Sequence, residues 1–334
     1  IDKGRAGTGL FSHILVSKYA DHLPLHRQEG IYRRHGLELR RSTLCDWVAQ
    51  SAALLEPIVL EMKRQIVTAL KLHTDDTPVP VRNGPRKQIR KGYLWVYVDP
   101  AHNVVFDYTP TRQRAGPLEF LGDYAGFIQA DAYAGYDAVF AKGQATEVGC
   151  WAHTRRKFYE AKDTAPAVAH EALWLIRALY KIERQAKEDE LQAEALLALR
   201  RAHSKPILTT IEERLSVWSQ SVLPKSPMGQ AIGYAQGQWE ALVRYADHPL
   251  LAIDNNLAER TLRAVTLGRK NWLFAGSDAG ARRAATFYSL IGSCKLCGID
   301  PFYYLKDVLE RVSHHPARRI GELLPRQWRR ATPD

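Results

Sequence analysis

The chain has 334 residues, 46% hydrophobic and 25% charged, which is enough for about two domains with a buried core. A formal charge of +11 favours a polyanionic partner, with nucleic acid the commonest, although composition alone leaves a basic protein without nucleic acid open. No apolar run of about 18 residues is present, so no membrane partner is expected; four cysteines are too few for a disulfide framework, and a reducing cytoplasm is the expected setting.

The opening IDKGRAGTG lacks the apolar stretch of a signal peptide, and its start on Ile rather than Met marks an expected piece of a longer chain. Residues 1–68 read as helical. PLHRQEGIYRRHGLELRRSTLCDWV predicts a helix, a break at Gly36, and a second helix N-capped by Ser42 with a Leu44, Trp47, Val48 stripe. Two helices around a glycine turn suggest a helix-turn-helix, with Arg33, Arg34, Arg40 and Arg41 placed to meet phosphates. Helical hairpins that bind nothing are equally well known.

From residue 69 to 160 the period shortens. ALKLHTD, GYLWVYVDP, NVVFDYTP, GFIQAD and TEVGCW read as short strands. In GYLWVYV the aromatics Tyr93, Trp95 and Tyr97 alternate with Leu94, Val96 and Val98, which suits a central strand covered on both faces. TRQRAGPLEFLGDYA supplies a crossover helix. Three meandering strands, then helix, strand, helix and strand describe a ribonuclease H-like mixed five-stranded α/β sheet flanked by helices. Residues 161–248 return to helix, with stripes at Leu173, Ile176 and Tyr180, at Ile211, Leu215, Trp218 and Val222, and at Ile232, Ala235, Trp239, Leu242 and Ala246. Residues 249–334 add further helices. There Cys294 and Cys297 form a CxxC, but a single pair falls short of the four ligands of structural zinc. Phe287, Ile291 and Cys294 share one helical face, so Cys294 reads as a small buried hydrophobe.

Three carboxylates stand out by position. Asp75 is expected to end the first strand and Asp131 the fourth, where ligand groups converge in α/β sheets. Like charges held close together need a cation or a proton. Hard oxygen donors without neighbouring His or Cys point to magnesium or manganese. Glu259 in IDNNLAERTLR is the third, yet Asn256 with Glu259 also matches a capping box, and Arg263 could pair with Glu259 one turn on. Asp75 and Asp131 could equally be turn residues. Asp76 competes with Asp75, with its side chain on the opposite face if the strand persists.

HTDDTPVPV, GFIQADAYAGYDAVF, CWAHTRRKF, NNLAERTLRAVTLGRKNWLFAGSDAGARRAATFYSLI, DPFYYLKDVLERV and LLPRQW together resemble the insertion sequence 66 family of bacterial transposases, in order along nearly the whole chain. LVSKYADHLPLHRQEGIYRRHGLELRRSTLCDWV is similar to the helical segment that precedes the catalytic domain in that family. The resemblance implies a ribonuclease H-like core interrupted by the 161–248 helices, with a catalytic, metal-binding triad of Asp75, Asp131 and Glu259. It implies two Mg²⁺ (or Mn²⁺) ions, with Asp75 bridging both, Asp131 holding one and Glu259 the other. The expected partners are transposon-end and target DNA, further copies of the chain, and accessory proteins of the element. Asp76 replaces the usual Glu of the first motif, and a cysteine-rich segment typical of family N-termini does not appear in these residues.

Basic residues should carry the DNA: Arg155, Arg156 and Lys157, then Arg260, Arg263, Arg269 and Lys270, together with Arg40 and Arg41. A first hairpin adds Arg82, Arg86, Lys87, Arg90 and Lys91. Trp272 and Phe274 could stack on an unpaired base or fill the core. His153 reads as a structural histidine that could also lie near the metals. A nuclease or resolvase that hydrolyses without joining, and an inert DNA-binding protein, remain the alternatives.

Overall fold

The computed structural model describes residues 6–83 and 88–329, so Arg86 and Lys87 of the expected hairpin lie outside the described residues. Helices α1 (Thr8–Tyr19), α2 (Leu25–Arg34) and α3 (Arg41–Ile66) lead into strands β1 (Lys71–Asn83), β2 (Gln88–Val98) and β3 (Val104–Thr109). Next come α4 (Ala115–Leu121), β4 (Phe127–Gln129), α5 (Asp137–Phe140) and β5 (Thr146–Val148). The helices α6 (Trp151–Glu160), α7 (Pro166–Glu188), α8 (Ala193–Leu199), α9 (Lys205–Ser221), α10 (Pro227–Gly237) and α11 (Trp239–Val243) follow. The last are α12 (Asn256–Trp272), α13 (Asp278–Leu296) and α14 (Pro301–Arg311). The strands form a mixed five-stranded sheet in the order β3-β2-β1-β4-β5, consistent with a ribonuclease H-like fold. Two compact units result, Ile1–Tyr124 with Leu257–Asp334, and Ala125–Asn256. No described helix is long and apolar enough to cross a membrane.

In the first unit, Gly36 breaks the chain between α2 and α3 with φ +77°, a left-handed conformation that glycine adopts without strain. Ser42 is not the cap. The helix begins one residue earlier, at Arg41, whose backbone N–H donates to Glu29 Oε1 of α2 at 3.2 Å. A carboxylate from the preceding helix thus meets the first amide of α3, one residue before the expected cap. Leu44 and Val48 are buried as their spacing required, and Trp47 meets Phe11 edge to face.

Strand β1 runs further than expected. It passes through Pro78 and Pro80 to Asn83, so Asp75 lies within the strand and not at its end. Proline lacks an N–H and is tolerated only where no ladder bond is lost. Pro80 O accepts from Ala275 N, and Arg82 N donates to Ala275 O, so this parity of β1 faces away from β2. Pro78 and Pro80 share it, and β1 still pairs with β2 from His73↔Val98 to Asn83↔Gln88.

Strand β3 ends the sheet order, where bare N–H groups would invite foreign strands. Helix α13 covers it. Val104 N and Phe106 N each donate at 2.8 Å to the hydroxyls of Ser293 and Ser289. Phe287, Ile291 and Cys294 on this helix are buried, and burial pushes the Cys294 thiol well above its usual range. The CxxC contributes packing.

In the second unit, the Leu208, Ile211, Leu215 and Trp218 face of α9 joins Ile176, Leu179, Ile232 and Leu242 in one core. The expected third stripe is not one helix, because the chain breaks between α10 and α11 after Gly237. Arg200 anchors this unit from a π-helical turn, Arg200–Ser204, between α8 and α9. Its side chain is 2% exposed. It donates to both Glu183 carboxylate oxygens (2.7 and 2.8 Å) and to the carbonyls of Tyr245, His248 and Leu251. Removing one partner of such a buried pair strands the other, at a cost of about 3–5 kcal/mol. Arg200→Met should therefore lower the urea midpoint of the second unit by a corresponding amount, and adding Glu183→Gln should restore most of it. A midpoint unchanged in the single variant would contradict the anchoring role.

Candidate functional site

Asp75 and Asp76 occupy consecutive positions of a persisting strand, so their side chains leave opposite faces. The Asp76 carboxylate is held by Arg112, whose Nε and Nη2 donate at 2.8–3.0 Å, and Asp75 Oδ1 accepts from Asp76 N at 2.7 Å. Asp76 therefore has a structural duty of its own, and Asp75 remains the metal-ligand candidate of this pair. Asp131 lies two residues beyond β4, half-buried, and its carbonyl accepts from the Tyr234 hydroxyl at 3.4 Å.

Glu259 is half-buried in the first turn of α12. The capping box would have had its carboxylate accept from the Asn256 amide. That amide donates instead to Asp254 Oδ1 at 3.1 Å, while Asp254 Oδ2 accepts from Asn256 Nδ2 at 2.6 Å and from the Tyr180 hydroxyl at 3.0 Å. Asp254 thus takes the amide assigned to Glu259, a role that sequence reasoning missed because Asn256 and Glu259 alone complete the consensus pattern.

Within the first unit, α12 is tied to β1. Arg269 Nη1 donates to Thr77 Oγ1 at 3.1 Å and to Pro78 O at 2.5 Å. The helix that carries Glu259 is thereby bound to the strand that carries Asp75. The same bonds take up part of a guanidinium expected on phosphate. Arg260, Arg263 and Lys270 point to solvent at helical spacing, on a face opposite Ala258, Leu262 and Val265, which are buried. Arg40 and Arg41 are exposed at the start of α3.

On α6, Arg155, Arg156 and Lys157 are exposed, while His153 is half-buried. Lys157 sits 4.5 Å from the Tyr234 ring centroid. Cys150 at the start of this helix accepts from Asn255 N at 3.2 Å, and burial pushes its thiol up to about 12, an inert state. Trp272 and Phe274 are half-buried and line a cavity of about 340 Å³ in the first unit with Lys18, Arg283 and Tyr288. Lys91 and Arg82 are exposed, and Arg82 lies 5.8 Å from the Phe274 ring.

The chain matches the description "Transposase IS66 family" over residues 3–283 and "IS66 C-terminal element" over residues 289–326. It belongs to the IS66 transposase family. Three proteins of Sinorhizobium fredii, all described as uncharacterized, resemble this family member. They are y4hP (34% identical over 99% of this chain), y4qI (31%, 97%) and y4jD (31%, 98%). The chain spans 64%, 63% and 67% of their respective lengths.

Arg90, another expected phosphate contact, is committed elsewhere. Its Nη2 reaches both Asp278 carboxylate oxygens at 2.6 Å, and Tyr108 donates its hydroxyl to the same carboxylate. The Tyr108 hydrogen bond, then Arg90, hold the Asp278 carboxyl below its usual range against the opposing effect of burial. A depressed folded pKa gives stability that is fully present above the unfolded value, about 4, and is lost as pH falls through the folded value. Asp278→Asn should therefore flatten the acid limb of a stability-versus-pH curve while lowering stability at pH 7. An acid limb of unchanged slope would remove Asp278 from its causes.

Proposed function

We propose that this chain cleaves and rejoins DNA phosphodiester bonds as a DDE-type transposase, with Asp75, Asp131 and Glu259 as its catalytic carboxylates. Family membership gives the reaction class. The observation that carries the residue assignment is the Arg269 clamp, which holds the helix of Glu259 on the strand of Asp75. Asp131 joins them on the family motif, from just beyond β4.

The donor set fits hard divalent cations: three half-buried carboxylates, all oxygen. Magnesium or manganese, two ions on the family pattern, would stabilise the charge on the entering and leaving oxygens. The chain itself orients the carboxylates and brings phosphates to them along the exposed stripe of Arg260, Arg263 and Lys270. Arg40 and Arg41, and on the second unit Arg155, Arg156 and Lys157, are further phosphate contacts, and a half-buried Arg269 keeps α12 in place. In cleavage, a water oxygen forms a bond to phosphorus as the bond to the 3′ oxygen breaks, leaving a 3′-OH. In joining, that 3′-OH attacks a target phosphodiester and displaces its 3′ oxygen. Residues 1–68 are read as a DNA-binding segment and 161–248 as a helical insertion, and copies of the chain would pair two DNA ends.

Matched element-end DNA, a target plasmid and Mg²⁺ provide the test. Glu259→Gln and Asp131→Asn should reduce both cleavage and joining to background while DNA binding in EDTA is retained. Cleavage by Glu259→Gln within about tenfold of wild type, far short of the 10²-fold cost of even a slight misplacement, would sink the assignment. Arg269→Ala, which displaces a ligand-bearing helix without removing a ligand, should lower the rate by about 10²-fold with little change in DNA affinity.

A further inference from the structure

On the second unit, α6 and α7 border an open groove of about 800 Å³ whose lining includes Arg155, Arg156 and Tyr159 from the first helix and Trp174, Arg177 and Arg184 from the second. Arg155 and Tyr159 are one turn apart on α6. Trp174, Arg177 and Arg184 share one face of α7. Trp174 is 68% exposed and Tyr159 49% exposed, so two large aromatic rings stand in water beside a row of cations. Leaving a tryptophan ring out forgoes on the order of 2 kcal/mol of burial, and nothing in the packing of this unit requires it.

Charge pairing within the unit sharpens the point. Two of the three α7 carboxylates are engaged elsewhere: Glu171 pairs with Arg214 at 2.5 Å and Glu183 with the buried Arg200 at 2.7 Å, which leaves Glu188, exposed one turn beyond Arg184, as the one free to approach the groove. Among the described residues, Arg155, Arg177 and Arg184 have no carboxylate within ion-pairing distance. Arg155 lies 6.0 Å from the Tyr159 ring, close enough to share a stacked ligand with it. Cations that track a phosphate backbone, interleaved with exposed aromatic planes, match single-stranded nucleic acid. A duplex offers the cations phosphates but hides its base faces from Trp174.

We propose that the α6–α7 groove binds single-stranded DNA, with Trp174 stacked on an unpaired base and Arg155, Arg177 and Arg184 on the flanking phosphates. That the polyanion is DNA rests on the function proposed above. The stacking role comes from the groove itself.

The test is binding of a labelled single-stranded oligonucleotide, and of the same sequence as duplex, to the full chain in EDTA. Base stacking on an aromatic ring contributes about 1–3 kcal/mol. Trp174→Ala should therefore weaken single-strand binding roughly 5- to 150-fold and leave duplex binding nearly unchanged, while Trp174→Phe keeps most of the affinity. Arg177→Gln combined with Arg184→Gln should reduce the log–log salt slope by about 1.4, since each phosphate contact on a single strand contributes about 0.7. Circular dichroism confirms that these exposed substitutions leave the fold intact. Single-strand affinity of Trp174→Ala within about twofold of wild type, less than any stacking contribution of that size allows, would overturn the inference. So would equal losses on both DNAs, or no single-strand binding by the wild type. Because no metal is present, the outcome is separate from catalysis. Groove binding without metal-dependent joining keeps this inference and removes the transposase reading, and joining with an unaffected Trp174→Ala does the reverse.

Discussion

The contact that sets α12 against β1 in the first unit is the pair of hydrogen bonds from Arg269 to Thr77 and to the Pro78 carbonyl. A helix laid against a sheet by apolar packing alone can slide by a fraction of a turn at little cost. Two charge-assisted bonds to fixed strand atoms fix its register instead. They also explain why β1 must persist beyond Asp75. Thr77 and Pro78 offer the bonding groups, and Pro78 and Pro80 are tolerated because their side of the strand faces Ala275 and not β2. A chain that turned at the prolines would leave Arg269 with nothing to hold.

The second unit solves a different problem. It is nearly all helix, with a π-helical turn that would leave main-chain groups poorly placed. Arg200 draws Glu183 and three carbonyls from the α11–α12 connection onto one guanidinium, and lies 5.1 Å from the Tyr245 ring centroid. A charge this deeply buried is tolerated only because its partners surround it. One consequence reaches the surface. With Glu183 turned inward onto Arg200, and Glu171 paired with Arg214, Arg177 and Arg184 on the outer face of α7 are left without an ion-pair partner beside the exposed Trp174.

Membership of the IS66 transposase family places both features in a mobile-element protein. Basic residues then divide by their surroundings rather than by their number. Arg90 and Arg112 hold Asp278 and Asp76, Arg269 clamps a helix, and Arg200 fills a core. The exposed remainder, on α12, on α6 and α7 and at the start of α3, is what a formal charge of +11 leaves facing solvent.

The amino-acid sequence by itself determined the α/β class, the strand and helix types in nearly every segment, the buried face of α13 and the family, because these follow from periodicity and from ordered motifs. The Gly36 break was legible for the same reason, since only glycine enters that conformation freely. Only the tertiary structure decided which polar groups meet. Ser42 and Asn256 fitted local capping rules, yet α3 begins at Arg41, whose amide meets Glu29, and Asp254 takes the Asn256 amide; Asp75 proved interior to its strand; Arg269 turned to a hydroxyl and a carbonyl, and Arg90 to a carboxylate. Long charged side chains reach across several ångströms and choose partners brought near by the fold, and no sequence spacing records that choice.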